Sequence, residues 1–323
     1  MKDKIIIGID GGASKTSGVL FNNKGKTICH EVVLGTNLSI DEMLSAKRVI
    51  NLINNLLKKA QIETRDVSAI GVGLAGASNK NGRDILFGLL DNLGLSEKTI
   101  VTNDIDSVYD FIWSNQKGIL LNVGTGVICT AKKDGKFIRV AGKGHNNGDI
   151  GSGYWIGKEI LIELGLKNSS SYQDSHKILP YLLQRHQAKD YDDLIARIDK
   201  SDEKISMIAS LAEDVIQLGK SGNELARDII QQATRMIAEY IIEVRDLMEY
   251  GDNDIILAGN GSVLRNDYFR KELNNALSFD FNQIKWIFLD ISPAYAPGVL
   301  SARLKSIKIN RKNLNVNPLK VGA

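Results

Sequence analysis

The sequence predicts an α/β protein assembled from two related halves, and three observations carry that expectation. Apolar, strand-like segments alternate with amphipathic helical ones through the first third of the 323-residue chain. A β–turn–β unit near the N-terminus recurs weakly about 114 residues further on: IIIGIDGGASKTSGVLFNNKGKTI against GILLNVGTGVICTAKKDGKFIRV. Short turns rich in glycine, asparagine or aspartate follow or interrupt most of the apolar segments, as at the ligand-binding ends of strands in open α/β sheets.

Taken in order, IIIGID is a strand apolar on both faces, TSGVLF the returning strand, and TICHEVVLG a third. A helix is expected from about Ile40 to Ala60, with Met43, Leu44, Val49, Ile50, Ile53, Leu56 and Leu57 spaced along one face. VSAIGVGLAGAS reads as a buried strand with a small-residue exit, followed by a helix through GRDILFGLLDNLG. TIVTND is a short strand, with a helix beginning near Asp106. From Gly118 the strand–turn–strand pattern restarts. Residues 155–250 are expected to be mainly helical, with a polar surface loop at KNSSSYQDS and a break near GKSGN. Strands return at NDIILAGNGSV and IKWIFLD, and a last helix starts around Pro297. The restart places a boundary at 117/118, giving an N-terminal unit of residues 1–117 and a larger one of 118–323.

Composition narrows the function. With 43% hydrophobic and 24% charged residues the chain reads as an ordinary globular protein. A net charge of +3 is too mild to argue for nucleic acid or an anionic membrane as partner. No apolar run approaches the roughly 20 residues that span a bilayer. The N-terminus runs directly into a strand, so no signal peptide is expected and the cytoplasm is the expected compartment. Cys29 and Cys129 are isolated, which argues against a disulfide framework or a thiolate metal site.

The chemistry concentrates in five turns: IDGGASKT, VTNDID, NVGTG, NNGDIGSG and LAGNGSVLRN. Backbone N–H groups in glycine-rich turns suit anionic oxygens, and a carboxylate beside them suits Mg²⁺. Gly-Gly after a strand is equally an ordinary hairpin turn. The P-loop pattern is absent, because Ser14 rather than glycine precedes Lys15-Thr16. The dinucleotide fingerprint is absent too, because a β-branched segment follows the glycines where a helix is required.

Together, Asp10-Gly11-Gly12-Ala13-Ser14-Lys15-Thr16, Gly124-Thr125-Gly126, Gly148-Asp149-Ile150-Gly151-Ser152 followed by Tyr154-Trp155-Ile156, and the glycine-rich Gly259–Asn266 resemble a known set. The chain resembles the N-acetylglucosamine kinase branch of the BadF/BadG/BcrA/BcrD ATPase family, within the actin–hexokinase–Hsp70 superfamily, from about Ile5 to Leu304. The resemblance implies two lobes of duplicated ribonuclease-H-like fold with an ATP cleft between them. It implies ATP and Mg²⁺ as cofactors, a small sugar as acceptor, and leaves a homodimer open.

Residue by residue, it makes Asp104 the base that accepts the sugar hydroxyl's proton. An alternative role for Asp104 is the N-cap of the following helix, which Asp106 or Ser107 could supply instead. Asp10 would hold Mg²⁺ through water, and Gly11, Gly12, Ser14, Lys15, Thr16, Gly124, Thr125 and Gly126 would surround phosphate oxygens. Gly259, Gly261 and Ser262 would admit adenosine, while Asn37, Gly148 and Asp149 would contact the sugar beside Asp104. The chain departs from the family pattern at Val127, Ile128, Lys143 and Ile150, which places the identity of the sugar in question. His145 reads as a loop hydrogen-bond partner. Two other readings are a sugar-sensing regulator without catalysis, and an ATPase that activates a radical dehydratase. The second needs clustered cysteine ligands for an iron–sulfur cluster.

Overall fold

The computed structural model describes residues 3–314 apart from 13–14, 115, 143, 145–148, 167–174, 250–253 and 290. The expected surface loop at KNSSSYQDS therefore falls almost entirely outside the described residues, as do Ser14, Lys143, His145 and Gly148. The described part forms two compact units, residues 1–116 with 289–323, and residues 117–288.

The first unit opens with β1 (Ile5–Gly11), β2 (Lys15–Asn22) and β3 (Thr27–Leu34). Then come α1 (Glu42–Ala60), β4 (Val67–Leu74), α2 (Lys80–Asp91), β5 (Thr99–Thr102) and α3 (Asp104–Trp113). Its sheet has the order β3-β2-β1-β4-β5, with β1, β2 and β3 antiparallel to one another and β1, β4 and β5 parallel. α1 starts two residues later than the sequence suggests because Asp41 is its cap, accepting a hydrogen bond from the Leu44 N–H. α3 starts two residues earlier than expected, because the Asn103 side chain caps it through the Ile105 N–H.

The second unit repeats this plan. It contains β6 (Ile119–Val123), β7 (Val127–Lys133) and β8 (Lys136–Ala141), then α4 (Gly153–Gly165), α5 (Ser175–Arg185), α6 (Tyr191–Lys200), α7 (Lys204–Lys220) and α8 (Glu224–Leu247). β9 (Asp254–Asn260), α9 (Asp267–Leu277) and β10 (Gln283–Phe288) follow. The order β8-β7-β6-β9-β10 and the parallel and antiparallel pairings match those of the first sheet strand for strand. The weak sequence repeat is thus a duplicated architecture. One helix, α1, makes the crossover in the first unit, whereas α4 to α8 make it in the second.

α8 shows why the helical region is stable. Leu225, Ile229, Ile230, Ala233, Ile237, Ile241 and Val244 recur at three- and four-residue steps and are all buried in the second core. Each such aliphatic side chain contributes about 1.5–3 kcal/mol on full burial. α9, which the apolar pattern did not reveal, is short and mostly polar; it buries only Phe269, Leu273 and Leu277.

The last helix, α10 (Tyr295–Leu304), corrects the expected boundary. Residues 289–323 group with 1–116, not with 118–288, because α10 lies against β1, β4 and α3. Two glycines of adjacent strands, Gly8 and Gly71, are paired in register and form the floor beneath it. A Cβ on Gly8 would fall 2.0 Å from the Ala294 carbonyl oxygen, and one on Gly71 would fall 1.8 Å from that of Pro297. The helix contributes Gly298, which approaches the Gly8 backbone and the Phe21 ring. Tyr295 is fully buried there, edge-on to Phe21 at 5.2 Å, with its hydroxyl bonded to that of Thr27.

Gly71→Ala and Gly8→Ala should each lower stability by about 1–3 kcal/mol, as overpacking does. Gly88→Ala, inside α2 with open space around the new methyl, should raise it by up to about 1 kcal/mol. Urea unfolding midpoints of the three variants test this; a Gly71→Ala midpoint equal to the parent's would contradict the seating of α10.

Candidate functional site

In the first unit the candidate residues gather at the carboxyl ends of β1, β4 and β5. Asp10 is half-buried near the end of β1, paired with Gly73 of β4, which in turn pairs with Thr102 at the end of β5. A Cβ on Gly73 would lie 3.2 Å from the Asp104 Cα and 3.1 Å from the Ser107 Oγ. The bare strand position therefore lets the first turn of α3 settle on the sheet and brings Asp104 toward Asp10. Asp104 is not the cap of its helix, since Asn103 fills that role. Its place in the first turn puts a carboxylate where the helix dipole favours negative charge. Burial, and secondly the charge of Asp104, push the Asp10 carboxyl up to about 7, partly offset by Lys15.

Backbone bonds tie the strand exits together around this pair. The Thr36 N–H donates to the Gly12 carbonyl at 3.0 Å, the Ala75 N–H to Gly11 at 2.8 Å, and the Leu38 N–H to Ala75 at 3.0 Å. Asn37 forms an isolated bridge with Ala75, so it stands beside the ends of β1 and β4. Its side-chain oxygen accepts from the Ser39 N–H at 2.9 Å, an Asx turn that fixes the amide plane.

The Gly12 N–H donates to the Lys15 carbonyl at 3.0 Å, so the backbone here is the hairpin that Gly-Gly also suggested. Lys15 is exposed at the tip. Thr16 is fully buried, and its hydroxyl shares a 2.9 Å hydrogen bond with that of Thr36. The Thr16 side chain thus braces the turn from beneath. Thr36 was not anticipated; only its place ahead of Asn37 marks it in the sequence.

In the second unit three of the five turns interlock. The Gly124 N–H closes the Gly124–Gly126 turn onto the Gly126 carbonyl at 2.9 Å. The first turn of α4 reaches back, Gly153 N–H to Gly124 carbonyl at 2.7 Å and Tyr154 N–H to Thr125 carbonyl at 3.1 Å. The Val263 and Leu264 N–H groups both donate to the Val123 carbonyl, at 3.1 and 3.3 Å. Gly261, at φ +92°, has no room for a side chain, since a Cβ would lie 2.2 Å from that same carbonyl oxygen. Gly259 is covered by the Phe288 ring, and Ser262 is exposed.

Asp149 is buried, with φ +31°, a backbone conformation that aspartate adopts more readily than most residues. A Cβ on Gly126 would come within 3.1 Å of its Oδ2, so the carboxylate lies directly on the Gly124–Gly126 turn. Asn122 and Asn260, missed in the sequence, are register partners at the ends of β6 and β9. They join through a 2.9 Å Asn260 Nδ2 to Asn122 Oδ1 bond. The signal in the sequence is an asparagine one or two residues ahead of a glycine, Asn122 before Gly124 and Asn260 before Gly261.

The cysteines give no cluster ligand set. Cys129 is fully buried in the second core, and burial, then the charge of Glu243, pushes its thiol above the ordinary range. Cys29 belongs to the other unit and donates to the Leu56 carbonyl at 3.4 Å. Among the described residues no helix is long and apolar enough to cross a membrane.

Similarity to known proteins runs over most of the chain. The sequence model of the BadF/BadG/BcrA/BcrD ATPase family matches residues 7–299. The N-acetylmuramic acid/N-acetylglucosamine kinase of Clostridium acetobutylicum is 29% identical over 306 residues, covering 92% of this chain and 98% of that protein. The N-acetyl-D-glucosamine kinase of Dictyostelium discoideum is 26% identical over 256 residues, covering 76% and 80%. Among solved structures, an N-acetylglucosamine kinase candidate from Chromobacterium violaceum aligns with a TM-score of 0.73 at 19% identity, covering 92% of this chain and 99% of that one. A ROK family glucokinase from Streptomyces griseus, in complex with glucose and AMPPNP, aligns at 0.56 and 15% identity, covering 93% and 98%. These structural likenesses show a shared α/β fold.

In the nucleotide-free protein the Asp10 carboxyl should titrate near pH 7 when followed by carboxyl-carbon NMR. A neighbouring negative charge disfavours ionisation, so Asp104→Asn should shift the Asp10 midpoint to lower pH. An unchanged midpoint in the variant would mean that the two carboxylates do not sense each other.

Proposed function

The chain belongs to the BadF/BadG/BcrA/BcrD ATPase family, and on that premise we propose that it is an ATP-dependent sugar kinase. It transfers the γ-phosphoryl group to a hydroxyl of an amino sugar. N-acetylglucosamine is the first candidate, because the Clostridium and Dictyostelium relatives are both named as kinases of it; glucosamine and N-acetylmuramic acid come next. The observation that carries this reading is the convergence of Asp10 and Asp104 across Gly73. Phosphoryl transfer depends on positioning, charge stabilisation and a group that accepts the nucleophile's proton, and this pair supplies an acceptor beside a second acidic group.

Asp104 takes the acceptor hydroxyl's proton on its carboxylate, with the dipole of α3 favouring the charged form that a base needs. Asn37, already oriented by its Asx turn, offers its amide N–H groups to the sugar. Asp149 accepts from sugar hydroxyls, beside the Gly124–Gly126 turn assigned to phosphate. Gly11, Gly12, Ser14, Lys15 and Thr16 belong to the first phosphate turn, and Gly259, Gly261 and Ser262 to the adenosine loop. Gly148 completes the sugar loop.

The residues present fit Mg²⁺. Two neighbouring carboxyl groups, one held near neutrality by burial and repulsion, suit a divalent cation that keeps most of its water. Among the described residues no group of three or more His, Cys, Asp or Glu could hold a metal ion. Asp10 would hold the ion through water, and when bound it would neutralise phosphate charge.

A coupled ADP-release assay with Mg-ATP tests this against N-acetylglucosamine, glucosamine, N-acetylmuramic acid, N-acetylmannosamine and glucose. Release with one or two amino sugars is expected, together with the matching sugar phosphate in mass spectrometry. Release with no sugar despite measured ATP binding would favour the non-catalytic sensor. Asp104→Asn should lower kcat by about 10²–10⁴-fold, the usual worth of a positioned base, while nucleotide affinity is retained. A near-parental rate would remove Asp104 from that role.

A further inference from the structure

A cavity lies in the first unit, at the far end of α3 from Asp104. Its volume is about 520 Å³, within the range of small-molecule sites. Phe111 in the last turn of α3, Val299 and Leu300 of α10, and Ile307 and Ile309 beyond α10 make its apolar wall.

The polar lining is unbalanced. Three cations, Arg303, Lys308 and Arg311, face the cavity with a single carboxylate, Asp110. Arg303 approaches Asp110 only at 3.8 Å, and Lys308 makes no ion pair among the described residues. Arg311 is fixed in place: its guanidinium lies 4.0 Å from the Phe111 ring centroid and donates to the Phe111 carbonyl. Burial, and then the like charge of Arg303, push the Arg311 side chain below its ordinary range.

We propose that this cavity is a binding site for a small amphiphilic organic anion, its apolar body against α10 and its carboxylate, sulfonate or phosphate head among Arg303, Lys308 and Arg311. The head group would receive charge-assisted hydrogen bonds from guanidinium forks, and the body would cover apolar surface that is otherwise open to water. The proposal does not depend on the kinase reading, because none of these residues is placed in phosphoryl transfer.

The test is fluorescence titration of the full chain with anilinonaphthalene sulfonate, and with the uncharged phenylnaphthylamine that shares its rings. The anionic probe should bind one equivalent more tightly than the neutral one. Arg303→Gln combined with Lys308→Gln should weaken the anion at least about tenfold while leaving the neutral probe unaffected. Both positions are exposed, so the variant should fold, as its unfolding midpoint will show. Equal affinity of the anion for parent and variant would overturn the site, and equal affinity of the two probes for the parent would overturn the ligand class. Binding is read without sugar or turnover, so this proposal and the kinase reading can fail separately.

Discussion

The contact on which the first unit depends is that between α10 and two strand positions that carry no side chain. Gly8 and Gly71 lie side by side in β1 and β4, and the backbone around Ala294 to Gly298 sits where their side chains would be. A helix held so close to a sheet has little freedom to slide, since protein interiors are packed to crystal-like density. Gly73, two residues beyond Gly71, does the same for α3. The distance between Asp10 and Asp104 is therefore set by backbone packing, and their electrostatic coupling is a consequence of it.

The two units brace their glycine-rich turns differently. In the first, a short hairpin is braced from below by Thr16 and Thr36, and the acidic groups stand at the adjoining strand ends. In the second, three turns far apart in sequence share the carbonyls of Val123 and Gly124, so their backbones cannot move independently. Asp149 is carried into this knot on a left-handed backbone, a local cost that the surrounding bonds offset. Such pre-organisation is what phosphoryl transfer requires, because little of its barrier is lowered by covalent chemistry from the protein.

Much of this was legible in the chain. The hairpins and the alternation of strand and helix rest on patterns within about 20 residues, and the repeat on two such patterns about 114 residues apart. The ambiguous features were those whose local signal fits two roles. Thr16 sits inside a phosphate-like motif yet turns inward, because β2 pairs with β1 in a register that puts it opposite Gly11. Asn103 does not stand out in the sequence as the α3 cap, because the adjacent Asp104 and Asp106 have equally good capping chemistry. α9 leaves little apolar signal in the sequence because it buries only Phe269, Leu273 and Leu277.

The sequence by itself determined the strands, the glycine turns and the residues that could do chemistry, since each follows from local propensity, spacing and side-chain type. Tertiary structure alone decided that α10 joins the first sheet, that Asp10 is held near neutrality, and that three cations from α10 and the segment after it meet α3 around one cavity. Those outcomes depend on burial and on through-space neighbours nearly 300 residues apart, as between Gly8 and Ala294. Neither is encoded in any window short enough to be read along the chain.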